Sequence, residues 1–471
     1  MTSRVLAAGT AAVLLLGGLG YAVADAYDVV PGVLTVRPAP TPPPPFPDPP
    51  GAQDPTTPPD DVLPALDESA PLPDRDALAA ALAPLLADPA LGPDVSASVV
   101  DVRTGEPLLA SDAGTPREPA STVKLFTAAA AIDRLGGRRT LTTTVVPGAS
   151  EEVVLVGSGD VLLGAGPGDL DAVRGRAGLA DLAADTAAAL AAQGRTSTAV
   201  RVDDSLFADD RMGPGWTRLD VDLGFVAPIT SIAVDAGRTT DEPYAPRVAD
   251  PALAAGAAFA EQLRAAGVTV VGDVTRGTAP PDAPVLAAVQ SAPVTEIAGY
   301  LLRASDNTVA EAVARLVALD AGLPATFAGS ARAVTETVAG LGVDVTGVTL
   351  TDGSGLSDGA SVPAAALTDL LVTAAGDTHE HLRPVLTALP VAGLSGTLLD
   401  RFSGDAAAGA LGTARAKTGS LRGVTTLAGT VPSADGRLLA FAVLADDVPA
   451  TEPARRAVDA VVAALAGCGC R

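Results

Sequence analysis

The chain has 471 residues, 48% of them apolar, with 31 basic against 55 acidic side chains and a formal charge of -24. At about 150 residues per domain this allows about three domains and a full-sized core, so a small disulfide-stapled scaffold is excluded. An acidic surface of this kind repels phosphate backbones and argues against nucleic acid as a partner.

Residues 5–24 form an apolar run between Arg4 and Asp25, long enough at ~1.5 Å per residue to cross ~30 Å of hydrocarbon. The run ends on Ala22-Val23-Ala24, a small-x-small pattern, so cleavage as a signal peptide after Ala24 competes with retention as a membrane anchor. In both cases the lone basic flank belongs on the cytoplasmic side and the rest of the chain is exported, giving an extracytoplasmic protein that is secreted or tethered to the outer face of the membrane. From Pro38 to Pro59 twelve of 22 residues are proline, which favours extended polyproline geometry spanning on the order of 70 Å. Residues 25–75 therefore read as a Pro-rich linker, and a spacer makes most sense if the N-terminus stays in the membrane.

In the globular part, Val95–Val102 alternates as a strand, turns at Thr104-Gly105 and resumes at Pro107–Ala110 as a hairpin. A helix is predicted over Ser121–Leu135. Residues 141–292 mix short strands (Val153–Val156, Val268–Val274) with Ala-rich helices near 178–193 and 252–266, and read as inserted α/β domains. Helical stretches follow over Val294–Ala318 and Thr326–Leu341, then strands over Thr413–Thr418, Val424–Val431 and Arg437–Leu444, and an amphipathic helix over Pro453–Ala466. The pattern predicts an α+β core whose sheet is assembled from both ends of the chain, 76–140 and 293–466, with a short tail at 467–471. Cys468 and Cys470 are too few and too close for a disulfide framework or a zinc site. His379 and His381 flank Glu380 without partner ligands and read as solvent-facing, so no metal and no cofactor are predicted.

Of the 31 basic residues 29 are Arg; only Lys124 and Lys417 are lysine, and Asn occurs once, at Asn307. Either compositional drift or a specific chemical need explains this. Arg cannot be deprotonated in a protein, whereas Lys can be tuned into a base. Ser121-Thr122-Val123-Lys124 places a hydroxyl and an amine one turn apart, where a neutral Lys can activate Ser as a nucleophile; alone it is equally a capping Ser with an exposed Lys. In Ser305-Asp306-Asn307 the hydroxyl can relay a proton to a leaving amine and the amide can hold Lys124 and a substrate carbonyl, or the triplet is a helix-breaking turn. Lys417-Thr418-Gly419-Ser420 lies on a predicted strand whose Gly lets a ligand backbone approach, and an ammonium there would depress Lys124 by like-charge repulsion. Together the three motifs use both lysines and the only asparagine, in the order seen in β-lactamases and penicillin-binding proteins.

On these motifs the chain resembles the D-alanyl-D-alanine carboxypeptidase/endopeptidase family, low-molecular-mass penicillin-binding proteins with a large insertion between the first two motifs. The 184 residues from Ser121 to Ser305 fit that insertion, and Asp203-Asp-Ser-Leu-Phe207, Gly213-Pro-Gly-Trp216, Asp352-Gly-Ser-Gly-Leu-Ser357 and Leu389-Pro-Val-Ala-Gly393 match as well. The resemblance implies a penicillin-recognising serine peptidase core, β-lactamase/transpeptidase-like, with inserted α/β domains. It implies that Ser121 attacks the carbonyl of the penultimate D-Ala of a peptidoglycan stem peptide, that Lys124 takes its proton, and that Ser305, Asn307 and Lys417 complete the catalytic set. Substrate contacts are implied for Thr418, Gly419, Ser420 and Arg422, with the Ser121 and Ser420 amides as oxyanion hole, and for Asp203 and Phe207 from the insertion; Asp203 is equally readable as a turn residue. β-Lactam antibiotics are implied as covalent inhibitors. The chain departs from the family pattern at Asp358, where Arg is frequent, and at Arg422, where a neutral polar residue is frequent. A β-lactamase and a non-catalytic wall-binding protein are the alternatives. The first is opposed by the long insertion and the lack of a second Asn, the second by the presence of both lysines.

Overall fold

The strand Leu438–Asp446 shows how the core is built. Its residues Leu439, Phe441, Val443 and Ala445 face one apolar cluster, while Ala440, Ala442 and Leu444 face another. Side chains alternate across a strand, so a strand covered on both faces loses its polar half and reads as a continuous apolar run. The structure, a computed structural model, describes Tyr21 and residues 69–208, 210–404 and 407–469. The chain divides into Met1–Pro64, of which only Tyr21 is described, and Ala65–Arg471. The predicted apolar run apart from Tyr21, and residues 25–68 of the Pro-rich linker, lie outside the described residues. Among the described residues no helix is long and apolar enough to cross a membrane.

Strands of four or more residues are β1 (Asp94–Asp101), β2 (Pro107–Ser111), β3 (Thr142–Pro147), β4 (Glu152–Val156), β5 (Asp160–Leu163), β6 (Ser197–Asp203), β7 (Ala287–Gln290), β8 (Arg415–Leu421), β9 (Val424–Pro432) and β10 (Leu438–Asp446). Helices of eight or more are α1 (Arg75–Leu86), α2 (Lys124–Ala131), α3 (Leu179–Ala192), α4 (Pro251–Ala265), α5 (Val294–Ala304), α6 (Asn307–Asp320), α7 (Phe327–Gly340), α8 (Ala364–Ala375) and α9 (Thr451–Gly467). The main sheet is antiparallel in the order β8-β9-β10-β1-β2. It joins the two ends of the globular chain, as the pattern predicts. α1 and α9 cover one face through Leu78, Leu82, Val458, Val462 and Leu465, and α8 covers the other through Leu367, Leu370 and Leu371, within the cluster that also buries α2, α5, α6 and α7. The result is an α+β core with helices on both sides of one sheet.

Residues 141–292 contribute a second sheet. Its order is 275–276, β6, β4, β3, β7, with 269–270 also paired to β6, and α3 and α4 pack their leucines and Phe259 against it. The predicted strand Val268–Val274 is not continuous: Gly272 turns into the left-handed region (φ +73), so only Thr269–Val270 and Thr275–Arg276 pair. The same span also feeds the helical core, because Val161, Leu162, Phe207, Val226, Ile229 and Ala233 pack among α2, α5 and α6.

The seam between the two regions is a buried ion pair. Asp306 caps α6, accepting from the Val309 amide (3.0 Å), and its other oxygen takes Arg238 and, at 3.3 Å, Arg247, both from the insertion. The insertion is thereby fastened one residue from Asn307.

Candidate active site

Ser121 lies in the tight turn Ala120–Val123 that leads into α2. The predicted helix over Ser121–Leu135 is thus a 3₁₀ turn, an α-helix and a π-helical turn at Ile132–Gly136. Three residues per turn bring side chains i and i+3 over one another, which is what the pair needs. Lys124 Nζ sits 2.9 Å from Ser121 Oγ, 2.6 Å from Asn307 Oδ1 and 2.7 Å from the Ser354 carbonyl, and the lysine is 0% exposed. The Asn307 amide is oriented by its other end, where Nδ2 donates to the Phe225 carbonyl (3.0 Å).

Two left-handed residues aim these groups. Ala120, just before the nucleophile, has φ +47 and Ser305 has φ +54, a conformation that costs a non-glycine residue about 1–2 kcal/mol. Gly355 makes room for the first: a Cβ there would come within 2.0 Å of the Ala120 carbonyl oxygen. Ser305 terminates α5 and swings Oγ to 2.8 Å from Lys417 Nζ, which also donates to the Thr418 carbonyl (2.6 Å). Lys417 is as buried as Lys124. Gly419 lies against the nucleophile turn, since a Cβ on it would meet Thr426 Oγ1 at 2.0 Å and the Pro119 carbonyl oxygen at 2.8 Å.

The structure therefore brings Ser121, Lys124, Ser305, Asn307, Lys417 and the Thr418–Ser420 strand to one place. Thr418 Oγ1 donates to Thr397 Oγ1 (2.8 Å), and Ser420 Oγ accepts from Arg455 Nη2 (3.2 Å). Arg422 is exposed at the turn between β8 and β9. Asp203 and Phe207 are placed differently. The Asp203 carboxylate accepts from the Ser205 amide (3.0 Å) and hydroxyl (2.6 Å) and from the Ala279 amide (2.7 Å), the turn role left open by the sequence. Phe207 is buried in the helical core with the Arg315 guanidinium 5.7 Å from its ring centre. Among the described residues no hydrogen bond joins either to the Lys124 network.

Four positions escape the sequence reading as site residues: Glu311, Ser354, Thr397 and Arg455. The signal for Glu311 was its place one turn after Asn307; for Ser354, its place inside the matched Asp352–Ser357 stretch. Thr397 and Arg455 reach the site only through tertiary folding and carry no local signal.

Burial lowers Lys124 to about 8, while Asp352, Glu311 and Asp306 pull it back up. Burial, and then the charge of Lys124, hold Lys417 well below the ordinary ammonium value. Desolvation is the larger cause at both lysines, and the repulsion between the two ammonium groups expected from the sequence adds to it. The two histidines face each other edge-on with ring centres 5.9 Å apart, and His381 Nε2 is 2.9 Å from Asp133 Oδ1. Cys468 is buried and disulfide-bonded.

Residues 78–246 and 238–466 match the model of the D-Ala-D-Ala carboxypeptidase 3 (S13) family. The chain belongs to that family. Its relatives include the carboxypeptidase DacB of Mycolicibacterium smegmatis, 40% identical over 412 residues that cover 86% of this chain and 87% of the relative. A D-alanyl-D-alanine carboxypeptidase of an Actinomadura species is 33% identical, covering 76% and 79%. Among solved structures, penicillin binding protein 4 of Haemophilus influenzae superposes with a TM-score of 0.66 at 21% identity, over 83% of this S13 chain and 98% of that one. That similarity shows the fold, an α+β core of the kind the sequence pattern predicts.

Proposed function

We propose that this S13 chain is a serine-type D-Ala-D-Ala carboxypeptidase/endopeptidase that works on peptidoglycan stem peptides through an acyl-enzyme on Ser121. The observation that carries the residue assignment is the set of three oxygens around Lys124 Nζ. A neutral amine has two N–H donors and one lone pair. Asn307 Oδ1 and the Ser354 carbonyl can only accept, so they take both donors and the lone pair is left facing Ser121 Oγ. A base lowered to about 8 is well matched to proton transfer near neutral pH.

In this reading Lys124 takes the Ser121 hydroxyl proton as Oγ bonds to the carbonyl carbon of the penultimate D-Ala. β8 is the edge of its sheet and, among the described residues, pairs from Lys417 to Leu421 with β9 alone, so apart from the Thr418 carbonyl, which takes Lys417 Nζ, its outer backbone faces the site where an extended peptide can add. The Ser121 and Ser420 amides then hold the oxyanion, and Thr418 binds the terminal carboxylate. Ser305, bonded to Lys417, passes a proton to the leaving nitrogen as the C–N bond breaks and D-Ala departs. Water attacks the ester, and Ser121 regains its proton.

β-Lactams, which present a strained amide to the same serine, are covalent inhibitors in this reading; the penicillin binding protein 4 of Haemophilus influenzae has been solved in complex with one. The proposal includes action outside the cytoplasm and tethering through residues 5–24, on the strength of the apolar run and the Pro-rich linker. Intact-protein mass after incubation with a fluorescent penicillin tests it: one adduct is expected on the wild type and none on Ser121→Ala. An adduct that persists in Ser121→Ala would overturn the assignment. D-Ala release from a D-Ala-D-Ala peptide reports the hydrolytic cycle, and N-terminal sequencing of the mature protein reports the fate of the leader.

A further inference from the structure

Three polar residues recur every fourth position along α6, whose residues from Thr308 to Ala318 are all buried. They are Asn307, Glu311 and Arg315, on one helix face. Asn307 touches Lys124. Arg315, 0% exposed, donates to the carbonyls of Ala208 (3.2 Å), Ala325 (2.7 Å) and Asp210 (2.5 Å) and lies over the Phe327 ring, so its role is to tie chain segments together. Glu311 lies between them and has no such evident use. It is 0% exposed; Oε2 accepts the Gly353 amide (3.1 Å), and the Ser354 side chain also bonds the carboxyl.

What Glu311 holds is the loop that carries the Ser354 carbonyl. Gly353 is pinned on both sides, its amide on Glu311 and its carbonyl on Thr127 Oγ1 (2.6 Å). Asp352 gathers the amides of Ser354 (3.1 Å), Gly355 (2.6 Å) and Ser357 (2.7 Å). The next carbonyl after Gly353 is the one that takes an N–H of Lys124. We infer that Glu311 is a positioning residue for the base: through the Gly353 amide it keeps the Ser354 carbonyl on Lys124 Nζ, and so keeps the amine lone pair directed at Ser121. The inference rests on the assignment of Ser121 and Lys124 made above.

An apolar side chain would fill the same space without holding the amide, so a carboxyl calls for a further reason. The charged groups facing Glu311 are Lys124 from α2, Asp352 from the loop and Arg315 one turn along α6, while Asp306 acts on Lys124 from the start of the helix. Burial and the Asp352 charge push the Glu311 carboxyl up to about 8. Below that it is neutral and adds no second negative charge beside the lysine. Once ionised it would favour the protonated amine, which cannot accept the Ser121 proton.

The test is the rate of acylation by a fluorescent penicillin, followed over a pH range that brackets the Lys124 value, in wild type, Glu311→Gln and Glu311→Leu. Glu311→Gln keeps an acceptor for Gly353 and never ionises; its rate stays near that of the wild type, and its pH midpoint moves to lower pH. Glu311→Leu fills the space without the acceptor and loses about 100-fold at every pH, the penalty of misplacing a catalytic group by about an ångström. A wild-type rate in a folded Glu311→Leu overturns the inference, and so does a Glu311→Gln rate that falls as far as that of Glu311→Leu; if Glu311→Leu does not fold, a loss of about 100-fold in Glu311→Gln, which keeps the acceptor, overturns it alone. A wild type that forms no Ser121 adduct overturns the catalytic assignment itself and this inference with it. A normal wild-type adduct with unmoved variants overturns only the role of Glu311.

Discussion

The insertion and the cleft use cations in opposite ways. Around the insertion, arginines meet carboxylates: Arg174 bonds both oxygens of Asp235 at 2.7 Å, Arg276 spans Asp204 and Asp250, and Arg201 grips Glu152 with two bonds of 2.8 Å. In the cleft, the two lysines are fully buried and bond only neutral oxygens, those of Ser121, Asn307, Ser354, Ser305 and Thr418. A guanidinium keeps its charge in any such setting and makes a durable joint. An ammonium buried without a carboxylate partner is poorly held in its charged form, and that is what a base requires.

The strongest way to break this contrast is to put the insertion's cation into the cleft. Lys124→Arg keeps the charge but cannot accept a proton, so penicillin acylation should fall by about 1,000-fold, within the range of a lost general base. Near-normal acylation would mean that no deprotonated amine is needed at this position.

The converse change weakens the seam. Asp306→Asn removes the charge that Arg238 and Arg247 share while leaving a side chain able to cap α6. Breaking one side of a buried pair leaves uncompensated charge, so unfolding in denaturant should show a loss of about 3–5 kcal/mol. An unchanged midpoint would show that the arginines do not fasten the insertion through Asp306.

pH sharpens the contrast with a defined sign. Lys124 is lowered from 10.5 to about 8, so the unfolded chain binds more protons between those values and this group's contribution to stability rises with pH across that window, by on the order of 3 kcal/mol. Glu311 is raised from 4.5 to about 8. Its contribution is fully present below 4.5 and is lost as pH climbs through 8, a separate window. Acylation should rise through about pH 8 as Lys124 deprotonates. In Lys124→Met, denaturant midpoints should lose the part of the alkaline rise that Lys124 supplies; an identical rise in the variant would remove the buried ammonium as its source.

The two regions were also unequally legible in the sequence. Lys124, Asn307 and Lys417 stood out because an Arg-rich chain makes each lysine and the single asparagine rare, and each lay within three residues of a serine partner. The main sheet was legible because its late strands are apolar on both faces. Ser354 and Glu311 were harder to assign, since one acts through a backbone carbonyl, which carries no residue identity, and the other through a neighbour's amide. Asp203 was legible in two ways, as a substrate contact implied by the resemblance and as a turn residue, and its bonds to Ser205 and Ala279 are those of the turn. The break at Gly272 went unread because β propensity in Val268–Val274 says nothing of the φ its glycine adopts.

The smallest expected effect tests whether the insertion's surface is coupled to the cleft at all. Glu152 and Arg201 bond across neighbouring strands β4 and β6, but solvent reaches both, and a pair in that setting is screened and gains little over its hydrated parts. Glu152→Gln should leave penicillin acylation unchanged and move the melting temperature only slightly, with the shift shrinking further as salt is added. Coupling would need a physical route from β4 to Lys124, and the fastening described above runs through Asp306 instead, whose partners Arg238 and Arg247 lie elsewhere in the insertion. A clear fall in the acylation rate of Glu152→Gln, with melting unchanged, would mean that the surface charge of the inserted sheet reaches the nucleophile and that the division between durable arginine joints and adjustable lysines is drawn in the wrong place.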